Sequence, residues 1–259
     1  MRLPMTRTLL TASPIALFLL TASSAIAHPH VWVSVETTVV YESGTIKALR
    51  QRWYFDEIYS AMAAQGLDAN GDGEYDRSEL AELLNVKIEG LRQFNHFTFA
   101  TLSGQDLSFD PPTDWHLEYV ETANPPLQSL TSDPPAGSPP AESSSFWSRL
   151  TNALTGATAT PEKTKVLALQ FTLPLSKPVL AEAEGFSFST YDPSFFIWFD
   201  LAQEQPIKLV NAPAGCTAEI IKPVQDTAQF QQLGEAAFKQ NSVQISFAFS
   251  KRVTLSCPG

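Results

Sequence analysis

Twelve consecutive residues, Asp68-Ala69-Asn70-Gly71-Asp72-Gly73-Glu74-Tyr75-Asp76-Arg77-Ser78-Glu79, set oxygen donors at the spacing needed to wrap once around a hard cation. Asp68, Asn70 and Asp72 offer side-chain oxygens at positions 1, 3 and 5. Glu74 offers its backbone carbonyl at position 7, Asp76 stands at position 9, and Glu79 closes the shell at position 12 with both carboxylate oxygens. Gly73 at position 6 permits the sharp turn. The run fits D-x-[DN]-x-[DN]-G-x5-E at every position, and the chemistry it points to is calcium binding by an EF-hand loop. The alternative is a polar connector between two helices that binds nothing. No second such loop occurs, whereas calcium sensors usually pair their hands. A lone hand in an exported chain is expected to bind at roughly 10⁻⁴–10⁻³ M and to act as a brace rather than a regulator.

The four histidines are His28, His30, His96 and His116. In the extended segment His28-Pro29-His30-Val31-Trp32, residues two apart share a face, so the first two imidazoles would project together. Cleavage before His28 would add an α-amine with a reference pKa near 7.7–8.0. Such nitrogen-rich sites suit zinc, nickel and copper. A square-planar site built on deprotonated amides is unavailable, because Pro29 has no N–H to lose. The alternative is two surface residues at a chain end. His96 and His116 lie between apolar residues and read as sheet histidines with satisfied partners. Neither G-x-S-x-G nor H-E-x-x-H occurs, and no arrangement argues for an enzyme.

Several features bound where such a chain works. Arg2 and Arg7, the apolar Ile15–Leu20 and the small-x-small Ala25-Ile26-Ala27 read as a signal peptide over residues 1–27. The apolar run is shorter than the roughly 20 residues of a membrane span; an uncleaved anchor is the alternative. No later stretch reads as a transmembrane span. The chain has 17 basic and 27 acidic residues, and loss of Arg2 and Arg7 would leave 15 against 27, a net charge of −12. That balance argues against a nucleic-acid partner. The two cysteines, Cys216 and Cys257, are expected to form one disulfide in an oxidising compartment, closing a loop of roughly 40 residues worth about 3–4 kcal/mol. Two free thiols are the alternative.

The elements that must position these groups follow from periodicity. Val31, Val33, Val35, Thr37, Val39 and Tyr41 alternate as one face of a strand, Ser43-Gly44 makes a turn, and Thr45–Phe55 returns. Asp56 caps a helix over about 56–67. Ser78 is expected to cap a second over about 78–91, with Leu80, Leu84, Ile88 and Leu91 on one stripe. Asn95–Thr101 and Trp115–Glu121 read as strands. Residues 122–163, with three Pro-Pro steps and a Ser triplet, read as a flexible excursion. Within it, Phe146–Leu154 is either a docking element or a short piece folded back on the domain. Residues 164–259 carry strand patterns at Val166–Leu173, Gly185–Tyr191, Phe195–Leu201, Pro206–Val210, Cys216–Ile221 and Val243–Phe249, and a helical one at Gln229–Lys239. The expected fold is mainly β and sandwich-like, with an inserted helix-loop-helix EF-hand, α+β overall. Residues 28–121 and 164–259 would be two halves of one domain.

The order His28-Pro29-His30-Val31-Trp32, Trp53-Tyr54-Phe55-Asp56-Glu57, the Asp68–Glu79 loop, then Tyr191-Asp192-Pro193-Ser194-Phe195-Phe196 resembles one bacterial periplasmic family. That family was once catalogued only as a domain of unknown function and includes the ZevA-type zinc-uptake proteins. The resemblance covers most of the chain after the leader, excepting the Pro/Ser-rich excursion. It implies a periplasmic accessory to transition-metal transport, partnered by a polytopic inner-membrane permease for nickel, cobalt or zinc. It makes His28 and His30 the candidate ligands and matches the calcium-like segment. Asp192 and Pro193 match a motif whose role is no more than a turn at this level. The chain lacks a His-rich tract, which argues against metal storage. Two rivals stand beside this reading: a calcium-braced interaction module without a transition-metal role, and an enzyme, either a hydrolase of unfamiliar type or an amino-terminal histidine copper oxidase, which would need His96 or His116 to converge on His28.

Overall fold

Alternation of β-branched and polar residues drives the first pairing. Strands β1 (Val31–Glu42) and β2 (Thr45–Phe55) form an antiparallel hairpin whose turn, Ser43-Gly44, has φ of +50° and +73° at its two residues. Positive φ at both central positions is what a two-residue hairpin demands, and glycine meets it without strain. Register runs from Val33 opposite Phe55 to Glu42 opposite Thr45, with one shift between Val40 and Tyr41. The computed structural model describes residues 30–126, 164–194, 196–223 and 250–258. The expected leader, His28, most of the 122–163 excursion with its Phe146–Leu154 segment, the helix at Gln229–Lys239 and the strand at Val243–Phe249 lie outside the described residues.

After the hairpin come helices α1 (Glu57–Ala64) and α2 (Ala81–Arg92), a 3₁₀ turn at Asn95–Phe97, and strands β3 (Thr98–Leu102), β4 (Gln105–Leu107) and β5 (Thr113–Thr122). The second half supplies β6 (Thr164–Leu180), β7 (Phe186–Thr190), β8 (Ile197–Leu201), β9 (Ile207–Val210), β10 (Thr217–Ile221) and β11 (Arg252–Ser256). The described strands form two sheets. The first has the order β5-β6-β2-β1-β8, with β9 also pairing β1; the second runs β10-β11-β7-β3-β4. The mainly β, two-sheet, α+β architecture is the one expected.

The long strands β1, β2 and β6 present one inner face to two different partners. At one end Val39, Tyr41, Ile46 and Leu49 pack with Ala100, Phe186, Phe188, Val253 and Leu255 of the second sheet. At the other, Val33, Val35, Trp53, Phe55, Leu169 and Phe171 pack with Leu80 and Leu91 from the helical segment and with Phe97. Between them sits a buried polar pair, Thr37 donating its hydroxyl to Gln51 Oε1 at 2.9 Å. The expected disulfide is present: Cys216 and Cys257 are bonded beside the paired residues Thr217 and Ser256.

Three expectations need correction. Ser78 does not cap the second helix, which begins at Ala81 after Leu80. The Ser78 hydroxyl instead donates to Asp76 Oδ1 at 2.6 Å, and that oxygen also takes the Ser78 and Glu79 amides, so Asp76 organises the turn before the helix, whose N-cap Leu80 has no side-chain capping bond. Residues 95–97 are not strand. The chain must reverse between α2 and β3, and Asn95, His96 and Phe97 turn left-handed at φ 50°, 52° and 49°. Such a conformation costs roughly 1–2 kcal/mol per residue, and the burial of Phe97 in the aromatic core holds it in place. Finally, the first residues assigned to the excursion are anchored. Thr122 ends β5, and buried Asn124 donates to Glu36 Oε1 at 2.9 Å and accepts from the Glu204 amide at 3.0 Å.

The left-handed turn leaves His96 partly inside the core, 5.9 Å from the Trp115 ring and 6.1 Å from Phe171. Its Nε2 is buried without a protein partner, contrary to the satisfied sheet histidine expected. Burial, with the Arg92 charge added, pushes the imidazole pKa below its ordinary value. The folded chain therefore binds this proton less readily than the unfolded chain does. Stability from this group is complete above the unfolded value of about 6.5 and falls as pH drops below it, with a slope of at most about 1.4 kcal/mol per pH unit for one proton. Urea midpoints at pH 7.5 and pH 5.5 should show the loss in the native chain and a smaller loss in His96→Gln; equal losses would mean that another group is responsible.

Candidate functional site

The calcium-type loop is built around its own acceptors. Asp68 Oδ1 accepts the amides of Gly71 at 2.7 Å and Asp72 at 3.2 Å, and its Oδ2 accepts that of Gly73 at 3.0 Å. Asn70 Oδ1 takes the Asp72 amide and Asp72 Oδ1 the Glu74 amide, each at 2.8 Å. Glu79 closes the ring: Oε1 takes the Ala69 amide at 2.9 Å and Oε2 the Asp76 amide at 3.0 Å. Position 12 is thereby tied back to positions 2 and 9. Gly71 and Gly73 stand at φ +72° and +80°, where a Cβ would be strained. Hydrogen bonds from Ser78 and Glu79 hold the Asp76 carboxyl below the usual carboxylate range. The donor set is hard oxygen throughout, which fits calcium. The carboxylates bond to loop amides, however, and among the described residues no three His, Cys, Asp or Glu side chains are gathered as a metal cluster.

The loop is stapled to the first sheet. Lys165 Nζ on β6 donates to Glu74 Oε1 at 2.7 Å, the Tyr75 ring lies 4.8 Å from Tyr119 on β5, and Arg77 reaches Glu118 at 4.0 Å. Glu74 contributes only its carbonyl in the twelve-residue pattern, so its side chain is available for Lys165.

A second cluster forms where β1 and β8 begin and β2 ends. It joins three stretches that the sequence separates by up to 160 residues. The His30 amide donates to the Phe196 carbonyl at 2.9 Å, and the His30 ring lies 4.9 Å from the Phe196 ring. Trp32 stands opposite Trp198, with ring centroids 5.8 Å apart. Asp56, after β2, accepts the Trp32 amide on Oδ2 at 2.9 Å and the Tyr59 amide on Oδ1 at 2.7 Å. Desolvation by burial pushes the Asp56 carboxyl upward against these bonds. Asp192 is buried too, taking the Ser194 amide and hydroxyl at 2.7 Å each and the Ile197 amide at 2.9 Å. His30 is exposed at this end of the sheet.

The other histidines stand elsewhere. His116 on β5 opposes Gln170, which opposes Arg52, which opposes Glu36 on β1. Three strand spacings and six residues of β1 separate it from His30, roughly 14 Å across the sheet and 20 Å along it. Its Nε2 lies 3.6 Å from Glu118, which Arg52 also contacts at 3.2 Å. His96 belongs to the inner aromatic core at the level of Phe171, which faces Gln51 and hence Thr37. Neither shares a site with His30. The roles of Asp56 beyond its cap, and of Asp192, were not readable in sequence. The only signal was that both stand in the motifs that carry the resemblance.

A family model described as a protein of unknown function, DUF1007, matches residues 14–257. An uncharacterized protein of Haemophilus influenzae is 17% identical over 236 residues, covering 90% of this chain and 92% of its own. No solved structure matches. A match running from residue 14 to the second cysteine spans both sheets, the loop and the His30 end together, and the chain therefore belongs to the DUF1007 family.

Proposed function

We propose that the protein is a periplasmic accessory to transition-metal transport, braced by calcium at its single EF-hand loop. The observation that carries this reading is the convergence of the His30, Asp56 and Asp192 segments at one end of the first sheet. A surface histidine gains little from two buried carboxylates behind it unless its position matters. His28 and His30, with the α-amine freed by cleavage before His28, would hold zinc, nickel or cobalt, all of which accept imidazole. The partner would be an inner-membrane permease that receives or delivers the ion. The disulfide suits an oxidising compartment, and among the described residues no helix is long and apolar enough to cross a membrane.

Calcium would act at Asp68, Asn70, Asp72, Glu74, Asp76 and Glu79. The rival reading, a calcium-braced interaction module without a transition-metal role, draws on the exposed apolar side chains Ile58 and Met62 along α1, 64% and 71% accessible. The two readings separate experimentally.

Calorimetry on the chain processed to His28, with calcium present, should give micromolar or tighter binding of one of zinc, nickel or cobalt, lost in His28→Ala/His30→Ala. Binding of calcium alone, with partner capture that depends on it, would favour the interaction module. Calcium at ten times its dissociation constant should raise stability by about 1.4 kcal/mol by linkage. Glu79→Gln, which removes the charge of the closing ligand, should abolish that gain in thermal melts; an undiminished gain would move the calcium site off the loop.

A further inference from the structure

The stretch from Glu74 to Arg77 touches the first sheet on both of its faces. Along β5, Leu117 and Tyr119 turn toward the inner core, while Glu118 and Val120 turn outward beside Arg52 and Tyr54. Glu74 meets Lys165 of β6, which stands opposite Glu121 and shares the inward set with Leu167. One residue on, the Tyr75 ring lies 4.8 Å from inward-facing Tyr119. Two residues further, Arg77 reaches outward-facing Glu118 at 4.0 Å. β6 fills one side of β5, and among the described residues β5 is the last strand of its sheet. Contacts on both faces at the level of Glu118 and Tyr119 therefore bring the Tyr75–Arg77 stretch round the open side of β5. An open strand edge is a template for another strand, and a loop laid across it blocks that pairing.

We propose that the Tyr75–Arg77 stretch guards the β5 edge, and that releasing it lets a second copy of this chain pair there, strand to strand. The edge is self-complementary. In an antiparallel pairing with Leu117 opposite Leu117, each His116 faces a Glu118 on the outer side and each Trp115 faces a Tyr119 on the inner side. A histidine–carboxylate pair and an aromatic pair both favour such a ladder. A register with Glu118 opposite itself would set like charges together. The helices α1 and α2 keep their places, because Leu80, Leu91 and Tyr59 are packed in the core, and only the loop between them moves. Control of the guard by calcium rests on the calcium reading of that loop. Without the ion, the carboxylates of Asp68, Asp72, Asp76 and Glu79 repel one another, and calcium bound among them would hold the stretch against the sheet. The guard itself rests only on its contacts with β5 and β6.

Tyr75→Ala/Arg77→Ala removes both contacts with β5 and leaves every proposed calcium ligand in place. Should that variant lose its fold by circular dichroism, Lys165→Met, which frees Glu74 alone, takes its place. Sedimentation equilibrium with calcium present should show the native chain as a single copy. The released variant should move to two copies as its concentration rises, a doubling of mass. Adding His116→Glu sets carboxylates against each other in both symmetric pairs and should return the released variant to a single copy. A native chain already paired, a released variant that stays single, or a dimer that His116→Glu leaves intact would each overturn the proposal. Removing calcium from the native chain with a chelator should give the same doubling. If the released variant pairs and the chelated native chain does not, the guard is supported and its control by calcium is overturned.

Discussion

Everything else docks on the pairing of β1 with β2. β6 adds to the outer side of β2, and β8 and β9 add in succession to the far side of β1. The helices and the second sheet both pack on the inner face this hairpin begins. A slip of one residue would send Val33, Val35, Trp53 and Phe55 to the outer face and bring Glu36, Arg52 and Tyr54 inward. The outer set is already committed: Glu36 accepts from Tyr54, Asn124 and Lys208, and Arg52 meets Gln170 and Glu118. Register is therefore held from both faces, by burial on one and by a polar network on the other.

Because one inner face serves two partners, its middle must separate them. Thr37 and Gln51 do this with a single buried hydrogen bond. A buried polar pair in an apolar layer contributes little net stability and is costly to half-satisfy. Its consequence is specificity, since neither the second sheet nor the helical insertion can slide across it without leaving those groups unpaired. The Gln51 amide nitrogen, the Trp53 indole nitrogen and His96 Nε2 all lack protein partners in this zone. Gln51 faces Phe171 across the sheet, and the Trp53 and His96 rings lie 4.9 and 6.1 Å from it. Polar groups are thus concentrated where the two halves of the core meet.

The hairpin was legible almost residue for residue, because strict alternation and Ser43-Gly44 turn chemistry agree. Asp56 was legible as a cap, and the loop by its spacing. β7 through β10 fell within a residue or two of their patterns. What failed depended on contacts made across the fold. The 95–97 segment alternates like a strand, yet the need to reverse from α2 into β3 forces it left-handed. Ser78 has the chemistry of a cap, but its hydroxyl is taken by the Asp76 carboxylate and the helix starts three residues later without a side-chain cap. β4, at three residues, is too short for periodicity to reveal. The function of Asp192 could not be inferred from its neighbours, since its importance comes from a carbonyl at Phe196 that meets a strand starting 165 residues upstream.

The calcium-type loop is set between two helices that are packed in place. A switch needs an element with two packed arrangements of similar free energy. Here α1 is fastened at its start by Asp56 to Trp32 and along its length by Ser60, whose buried hydroxyl accepts the Leu167 amide at 3.0 Å. α2 follows Leu80 and contributes Leu91, both buried in the same cluster as β1, β2 and β6. The loop between them leans on β5 through Tyr75 and on β6 through Glu74. Opening the two helices would require leaving the Trp53–Phe171 core, at a cost of several buried side chains of roughly 1.5–3 kcal/mol each. An ion bound at roughly 10⁻⁴–10⁻³ M supplies about 4–5.5 kcal/mol even at a 1 M standard state. Calcium bound there would therefore stiffen the insertion without opening it, and α1, whose cap Asp56 also holds the Trp32 amide, would carry that stiffness toward the His30 end.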